Sequence, residues 1–462
     1  MIKSKTEEKR RMSHIILRNI YSLMTDPAKS CQSGVDLRIE GNLVKEIGRS
    51  LETRGAESID CSSLVVVPGF VNTHHHFYQT LTRNIPAVQD AKLFDWLVYL
   101  YERWKNLDSE SVYISSSLAM AELAKTGCTC TTDHHYVYPK GFEGDAMALQ
   151  FEAADRIGMR FSPTRGSMSL SKKDGGLPPD SVVQSEEEIL LDSERCIKTF
   201  HDPSPLAMHK IVLAPCSPFS VTKRCMLESS RLARKYGVGL HTHLCETMDE
   251  EETCLRMYGL RPLELMQECE LIGEGVFYAH GIHFNDSELE LLSSTHTSIA
   301  HCPSSNMRLG SGICRVRDML DLGINVGIGV DGSASNDSSD MLGEMRAALL
   351  LQRVKYGSTS LSARDVFRMA SENGAKMLQF GQLGKLEPGW GADIAAFDVS
   401  GLEYAGSQTD SAASLLFCGT KHETKYTIVN GSFVVYDGHL TGWDEEELAE
   451  KGREASRKLL SK

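Results

Sequence analysis

Two rhythms of apolar and polar positions divide the chain. Residues 15–19, 35–40 and 43–47 are short runs of β character separated by turn signals, among them Gly41-Asn42. The same texture returns at 391–398, 426–431 and 433–438. Between these ends, apolar runs alternate with stretches of helical period, for example 118–125, 229–235 and 286–292. Eight apolar runs read as strands: 65–72, 128–134, 159–165, 211–216, 238–244, 276–282, 297–302 and 324–331. Eight alternating units predict an α/β fold, a (β/α)8 TIM-like barrel, with a doubly wound open sheet as the alternative. The matching β texture at the two ends predicts a small β-sandwich built from both termini. The expected divisions are a disordered lead-in at 1–13, a composite sandwich from 14–67 and 382–440, a barrel at 68–381, and an amphipathic C-terminal helix at 441–462 packed outside.

In such a barrel the carboxyl ends of the strands open on one face, and catalytic groups gather there. The first strand runs into Asn72-Thr73-His74-His75-His76. Side chains two apart on a strand share a face, so His74 and His76 point together and His75 points away. Strand five reads Leu240-His241-Thr242-His243-Leu244-Cys245-Glu246, strand six contains Ala279-His280-Gly281, and strand eight ends in Val330-Asp331-Gly332. Packing alone does not call for histidines and acids at the ends of apolar strands. Three imidazoles and a carboxylate suit a borderline-soft divalent metal, zinc first, with ferrous iron as the alternative. A carboxylate outside the metal's ligands must then move protons, and Glu246 suits that task. Gly327-Ile328-Gly329-Val330-Asp331-Gly332 also fits a dinucleotide fingerprint, but it lies in the last strand, and residues 333–337 read as a loop where a helix should start.

Composition narrows the partners. The net charge of −13, with no Lys/Arg-rich block, argues against a nucleic-acid partner. No apolar run reaches the roughly 18 residues of a membrane helix. The 13 cysteines are an odd number, and the charged first 13 residues lack the apolar core of a signal peptide. Free thiols and a cytoplasmic location are therefore expected. A homo-oligomer is left open.

Taken together, Pro68-Gly69-Phe70-Val71-Asn72-Thr73-His74-x-His76, His243-x-x-Glu246, Ala279-His280-Gly281, Ala300-His301-Cys302-Pro303-Ser304-Ser305-Asn306 and Val330-Asp331-Gly332-Ser333 resemble the nucleobase-deaminase branch of the amidohydrolase superfamily. The order agrees, and the resemblance spans nearly the whole chain. It implies that His74, His76, His243 and Asp331 ligate one metal, that Glu246 shuttles protons, and that His280 lies near the attacking water. Segments 165–170, 174–180 and 331–337 resemble 8-oxoguanine deaminases, which implies hydrolysis of 8-oxoguanine to urate and ammonia. Hydroxyatrazine-type triazine hydrolases and guanine or pterin deaminases share much of the pattern and are the alternatives. Two-metal relatives use a carboxylated lysine at the end of strand four. Here Lys210 precedes that strand and Lys223 lies well past it, so one metal per chain is expected. Gln79, just beyond the first motif, and His301, at the end of strand seven, are expected substrate contacts, since a planar amide can read a ring carbonyl beside an N–H. His241, one layer below His243, is expected to support the site. His134, His135 and His283 receive no role.

Overall fold

The computed structural model describes residues 14–462, and the lead-in expected at 1–13 lies outside the described residues. Eight parallel strands close into a barrel. Strand one is Phe70–Asn72, strand two Cys128–Thr131 with His134–His135, and strand three Arg160–Phe161 with Thr164–Ser167. Strands four to eight are Val212–Pro215, Gly239–Leu244, Val276–His280, Ser298–His301 and Val326–Ile328. Each pairs with the next, and strand eight returns to strand one through Ile328 and Asn72. That closing pair excludes the open sheet. Helices follow the strands and carry their own boundaries. Lys223–Tyr236, for example, begins where the Thr222 hydroxyl accepts the Cys225 N–H and ends at Gly237 with φ of 68°.

Two expected strands keep only three residues each in the barrel, Phe70–Asn72 and Val326–Ile328. The run 65–72 breaks at Gly69: Leu64–Pro68 pairs antiparallel with Ile394–Asp398, and Phe70–Asn72 alone enters the barrel. A Cβ on Gly69 would stand 2.3 Å from the Thr129 side chain, so only glycine lets the chain cross strand two here. Strand eight ends at Ile328, which leaves Asp331 in the turn beyond it. The segment after it, read as a loop, is one helical turn, Ser333–Asn336.

Both ends of the described chain contribute to a six-stranded sheet of Ser22–Leu23, Leu64–Pro68, Ile394–Asp398, Tyr426–Val429, Ser432–Tyr436 and His439–Leu440. A four-stranded sheet of Leu43–Gly48, Val35–Glu40, His14–Ile20 and Glu57–Asp60 covers it. Ile15, Leu37 and Ile39 from the second sheet share one buried cluster with Val66, Ile394, Ile428 and Phe433 from the first. The last helix, Glu445–Leu460, buries Leu448, Ala455 and Leu459 and passes close to Leu118 on helix Ser109–Lys125.

The sheet meets the barrel at a buried ion pair. Arg160 of strand three donates from Nε and Nη2 to the Asp393 carboxylate at 3.1 and 3.0 Å, and from Nη1 to the carbonyls of Leu206 and Ala207. Both side chains are buried. Asp393→Ala strands the guanidinium without its counter-charge, and the expected loss is about 3–5 kcal/mol of stability. Denaturant unfolding measures it, and a loss under about 1 kcal/mol would show that the junction does not depend on this pair.

Candidate metal centre and active-site cavity

Strand one stops at Asn72, yet its alternation continues into the histidines because strand eight keeps holding the chain. The Thr73 N–H donates to the Ile328 carbonyl at 2.9 Å and the Asp331 N–H to the His74 carbonyl at 3.0 Å. His74 and His76, both buried, meet the half-buried His243 in one cluster, with their ligand atoms within 4.8 Å of one another. His75 turns away. Its Nδ1 accepts the His76 N–H at 2.8 Å and its Nε2 lies 2.9 Å from Ser339 Oγ.

Hydrogen bonds settle the ring tautomers. His76 Nδ1–H donates to the His134 carbonyl at 2.8 Å, and His243 Nδ1–H to the Cys216 carbonyl at 2.7 Å. A carbonyl can only accept, so in the neutral rings each Nε2 carries a lone pair. These two Nε2 atoms stand 3.1 Å apart. His74 is held at one remove: His241 Nδ1–H donates to the Phe277 carbonyl at 2.9 Å, and His241 Nε2 then accepts from His74 Nδ1–H at 2.8 Å. His74 Nε2 is left buried without a hydrogen-bond partner. Burial pushes His76 down to about 3 and lowers His74 and His243 as well, so all three rings are neutral. Three buried lone pairs converge where protein atoms offer no hydrogen, and Asp331 Oδ1 lies 3.4 Å from the Nε2 of both His74 and His76. This donor set fits a divalent metal with nitrogen preference.

Asp331 and His280 both sit in the left-handed region, at φ of 65° and 72°. Such conformations cost non-glycine residues energy and persist where the surroundings over-determine them. The Asp331 carboxylate accepts the Gly332 N–H at 2.7 Å. His280 Nδ1–H donates to Asn306 Oδ1 at 2.9 Å, which aims Nε2 at Glu246 Oε2, 3.5 Å away, and at Asp331 Oδ2, 4.0 Å away. Burial pushes Glu246 up to about 7. Burial opposes a charge on His280, but the carboxylates of Glu246 and Asp331 outweigh it and raise its affinity for a proton. A carboxylate and an imidazole poised in this way can exchange protons with a molecule between them.

A cavity opens beside these groups, with about 410 Å³ of atom-free space when the part continuous with solvent is included. His76, His243, Glu246, His280 and Asp331 form its floor. Trp96, Leu97 and Tyr101 on helix Leu93–Trp104, with Phe219 and Leu309, form an apolar wall. Gln79 also lines it. Its Oε1 is buried without a partner, and a Cβ on Gly332 would collide with that oxygen, so the glycine makes room for the amide. Tyr101 presents a second unpartnered oxygen on a residue lining the cavity, one that the strand-end pattern did not single out because it lies on a helix. Asn306 was visible in a motif, but its part as the partner of His280 was not.

The structure does not bring His301 to this cavity. It is fully buried at the end of strand seven with neither ring nitrogen hydrogen-bonded. His134 stacks on His243 with centroids 4.6 Å apart, His135 lies edge-on to Tyr138, and His283 Nε2 bonds the Ser311 carbonyl. Lys210 lies outside the cluster, its ammonium bound to the Gln379 carbonyl.

The amidohydrolase family profile matches residues 65–434. The chain is 43% identical to an 8-oxoguanine deaminase of Pseudomonas aeruginosa, over 97% of this chain and 100% of that one. It is 34% identical to an isoxanthopterin deaminase from an unknown prokaryotic organism, over 96% and 97% of the two chains. The crystal structure of an atrazine chlorohydrolase from Arthrobacter aurescens TC1, complexed with zinc, superposes with a TM-score of 0.91 at 28% identity, covering 96% of this chain and 100% of that one.

His241→Phe removes the acceptor that fixes the His74 tautomer while keeping an aromatic ring against Phe277. The affinity of the cluster for a divalent metal is expected to fall roughly 10–100-fold. Titration against a competing chelator measures it, and an unchanged affinity would discard the relay.

Proposed function

The chain belongs to the amidohydrolase family, and from that premise we propose that it is a metal-dependent hydrolytic deaminase of a purine-like ring, converting 8-oxoguanine and water to urate and ammonia. The observation that carries this reading is the pair of opposed lone pairs on His76 and His243, 3.1 Å apart, facing a cavity with Glu246 and His280 on its floor. The 43% identity to an 8-oxoguanine deaminase along the full chain supports the choice of ring.

In this proposal His74, His76, His243 and Asp331 hold one divalent metal, zinc before iron, in keeping with the zinc in the atrazine chlorohydrolase. Lys210, bound at the opposite end of strand four, does not supply the bridging group of a second ion. When bound, the metal polarises water and brings its acidity towards neutrality. Glu246 accepts the proton of the attacking water on its carboxylate and delivers it to the nitrogen that leaves. His280, aimed by Asn306 between Glu246 and Asp331, orients that water. Gln79 offers its unpartnered amide oxygen to a ring N–H, and its NH2 to a ring carbonyl. The wall of Trp96, Leu97, Tyr101 and Phe219 receives the faces of a flat heteroaromatic ring and excludes bulk water.

Glu246→Gln is expected to keep the metal and lose at least about 100-fold in kcat. Near-normal turnover would remove Glu246 from the mechanism. Asp331→Ala is expected to lose both metal and activity, and full metal content in that variant would rule it out as a ligand. A panel of 8-oxoguanine, guanine, pterins and hydroxytriazines, scored by ammonia and alkylamine release, tests the ring. Fast ammonia release from 8-oxoguanine is the expected result. Alkylamine release from a triazine alone would transfer the function to the triazine hydrolases.

A further inference from the structure

Strand five ends at Leu244, and the next two residues form the turn that presents Glu246 to the cavity. The helix Met248–Tyr258 follows, with Thr247 at its N-cap. Glu250 occupies the third position of that helix, where a glutamate ordinarily reaches back to the amide of the capping residue. The chain uses that ordinary arrangement elsewhere: Glu188 accepts the N–H of its cap Ser185 at 2.9 Å, and Glu288 that of Asn285 at 2.8 Å. Glu250 does something else. It overshoots the cap, and its Oε1 and Oε2 accept the N–H groups of Cys245 and Glu246, at 2.8 and 3.0 Å. Thr247 makes no side-chain cap bond, and its hydroxyl is buried without a partner. The helix start is thus left without a side-chain cap while the turn before it is clamped.

The clamped turn is a strained one. Cys245 adopts φ of 54°, a region that non-glycine residues enter only under constraint. Its carbonyl accepts the N–H groups of Ile282 and His283 at 2.9 and 3.0 Å, and the Gly281 N–H donates to the Leu244 carbonyl at 3.1 Å. The same turn is therefore tied to the segment just after His280. Glu250 is fully buried and is not among the residues that line the cavity. We propose that Glu250 is a positioning residue for catalysis: by holding the amides of Cys245 and Glu246 together, it sets the Glu246 carboxylate at its working distance from His280. This inference rests on Glu246 as the proton carrier.

The test compares Glu250→Ala, Glu250→Gln, Glu246→Gln and the double variant E246Q/E250A, each as purified holoenzyme with metal content and thermal unfolding recorded. Glu250→Ala is expected to lower kcat about 100-fold with KM within about 3-fold and metal per chain unchanged, because a displacement near 1 Å of a reacting group costs about that much. The isosteric Glu250→Gln keeps one acceptor, so it is expected to fall between wild type and Glu250→Ala, and it serves if the alanine variant does not fold. The double variant is expected to be no slower than Glu246→Gln, since Glu250 acts only through Glu246. If kcat changes less than about 3-fold in both Glu250 variants while Glu246→Gln is inactive, the positioning role is overturned and the proton carrier stands. A double variant slower than Glu246→Gln by the full single-variant factor also overturns it. Normal turnover in Glu246→Gln overturns both readings together.

Discussion

Two imidazole lone pairs held 3.1 Å apart are the constraint on which the rest of this structure depends. Without a cation, the arrangement is repulsive and buried. Neither ring can relieve it by tautomerising, because its Nδ1–H is committed to a backbone carbonyl, that of His134 for His76 and that of Cys216 for His243. Those carbonyls lie at the ends of strands two and four, which pair with strands one and five respectively. The closed β ladder therefore chooses the tautomers, and the tautomers choose what can occupy the centre. The His74–His241–Phe277 relay extends the same logic one layer down, with the strand-six backbone as its last acceptor.

Around that centre, three non-glycine residues take left-handed backbone conformations where side chains converge. His280 and Asp331 both take left-handed conformations at the ends of their strands, and Cys245 does so beside Glu246. Buried carboxylates outside the cluster hold the neighbouring loops. Asp133 accepts the Phe77 N–H, directly after His76, and the Gln150 amide. Glu344 accepts the Ser304 N–H and the Asn336 amide, joining the loops after strands seven and eight. Burial pushes Asp133 up to about 7 and Glu344 up to about 8, so each buried acid carries a desolvation cost that its hydrogen-bond partners only partly offset.

Much of this was legible in the chain, and the reason is periodicity. Eight apolar runs gave the barrel because buried parallel strands are apolar on both faces, and the alternation of His74, His75 and His76 survived past Asn72 because strand eight continues to pair there. What the pattern could not show was where a run changes sheets. Gly69 divides 65–72 between two sheets, and a single glycine in an apolar run looks the same whether it bends a strand or lies within one. The position of His301 was hidden for a related reason. It closes strand seven in the same position that puts His280 into the cavity from strand six, but the positive φ that turns His280 inward has no counterpart at His301. Backbone handedness at a non-glycine residue leaves no mark in composition.

The cavity wall was the least legible part. The metal cluster and Glu246 are polar residues at the ends of apolar strands and stand out by contrast. Trp96, Leu97 and Tyr101 are apolar or aromatic residues on an amphipathic helix, indistinguishable in sequence from those that pack it against the protein. On the same helix Leu100 and Trp104 are equally buried, and neither lines the cavity. Only the tertiary placement of the helix over the barrel mouth separates the residues that line the cavity from those that touch the core. This helix and the 3-10 turn Phe77–Thr82 that carries Gln79 therefore shape the space above the cluster, while the strands beneath keep the lone pairs opposed.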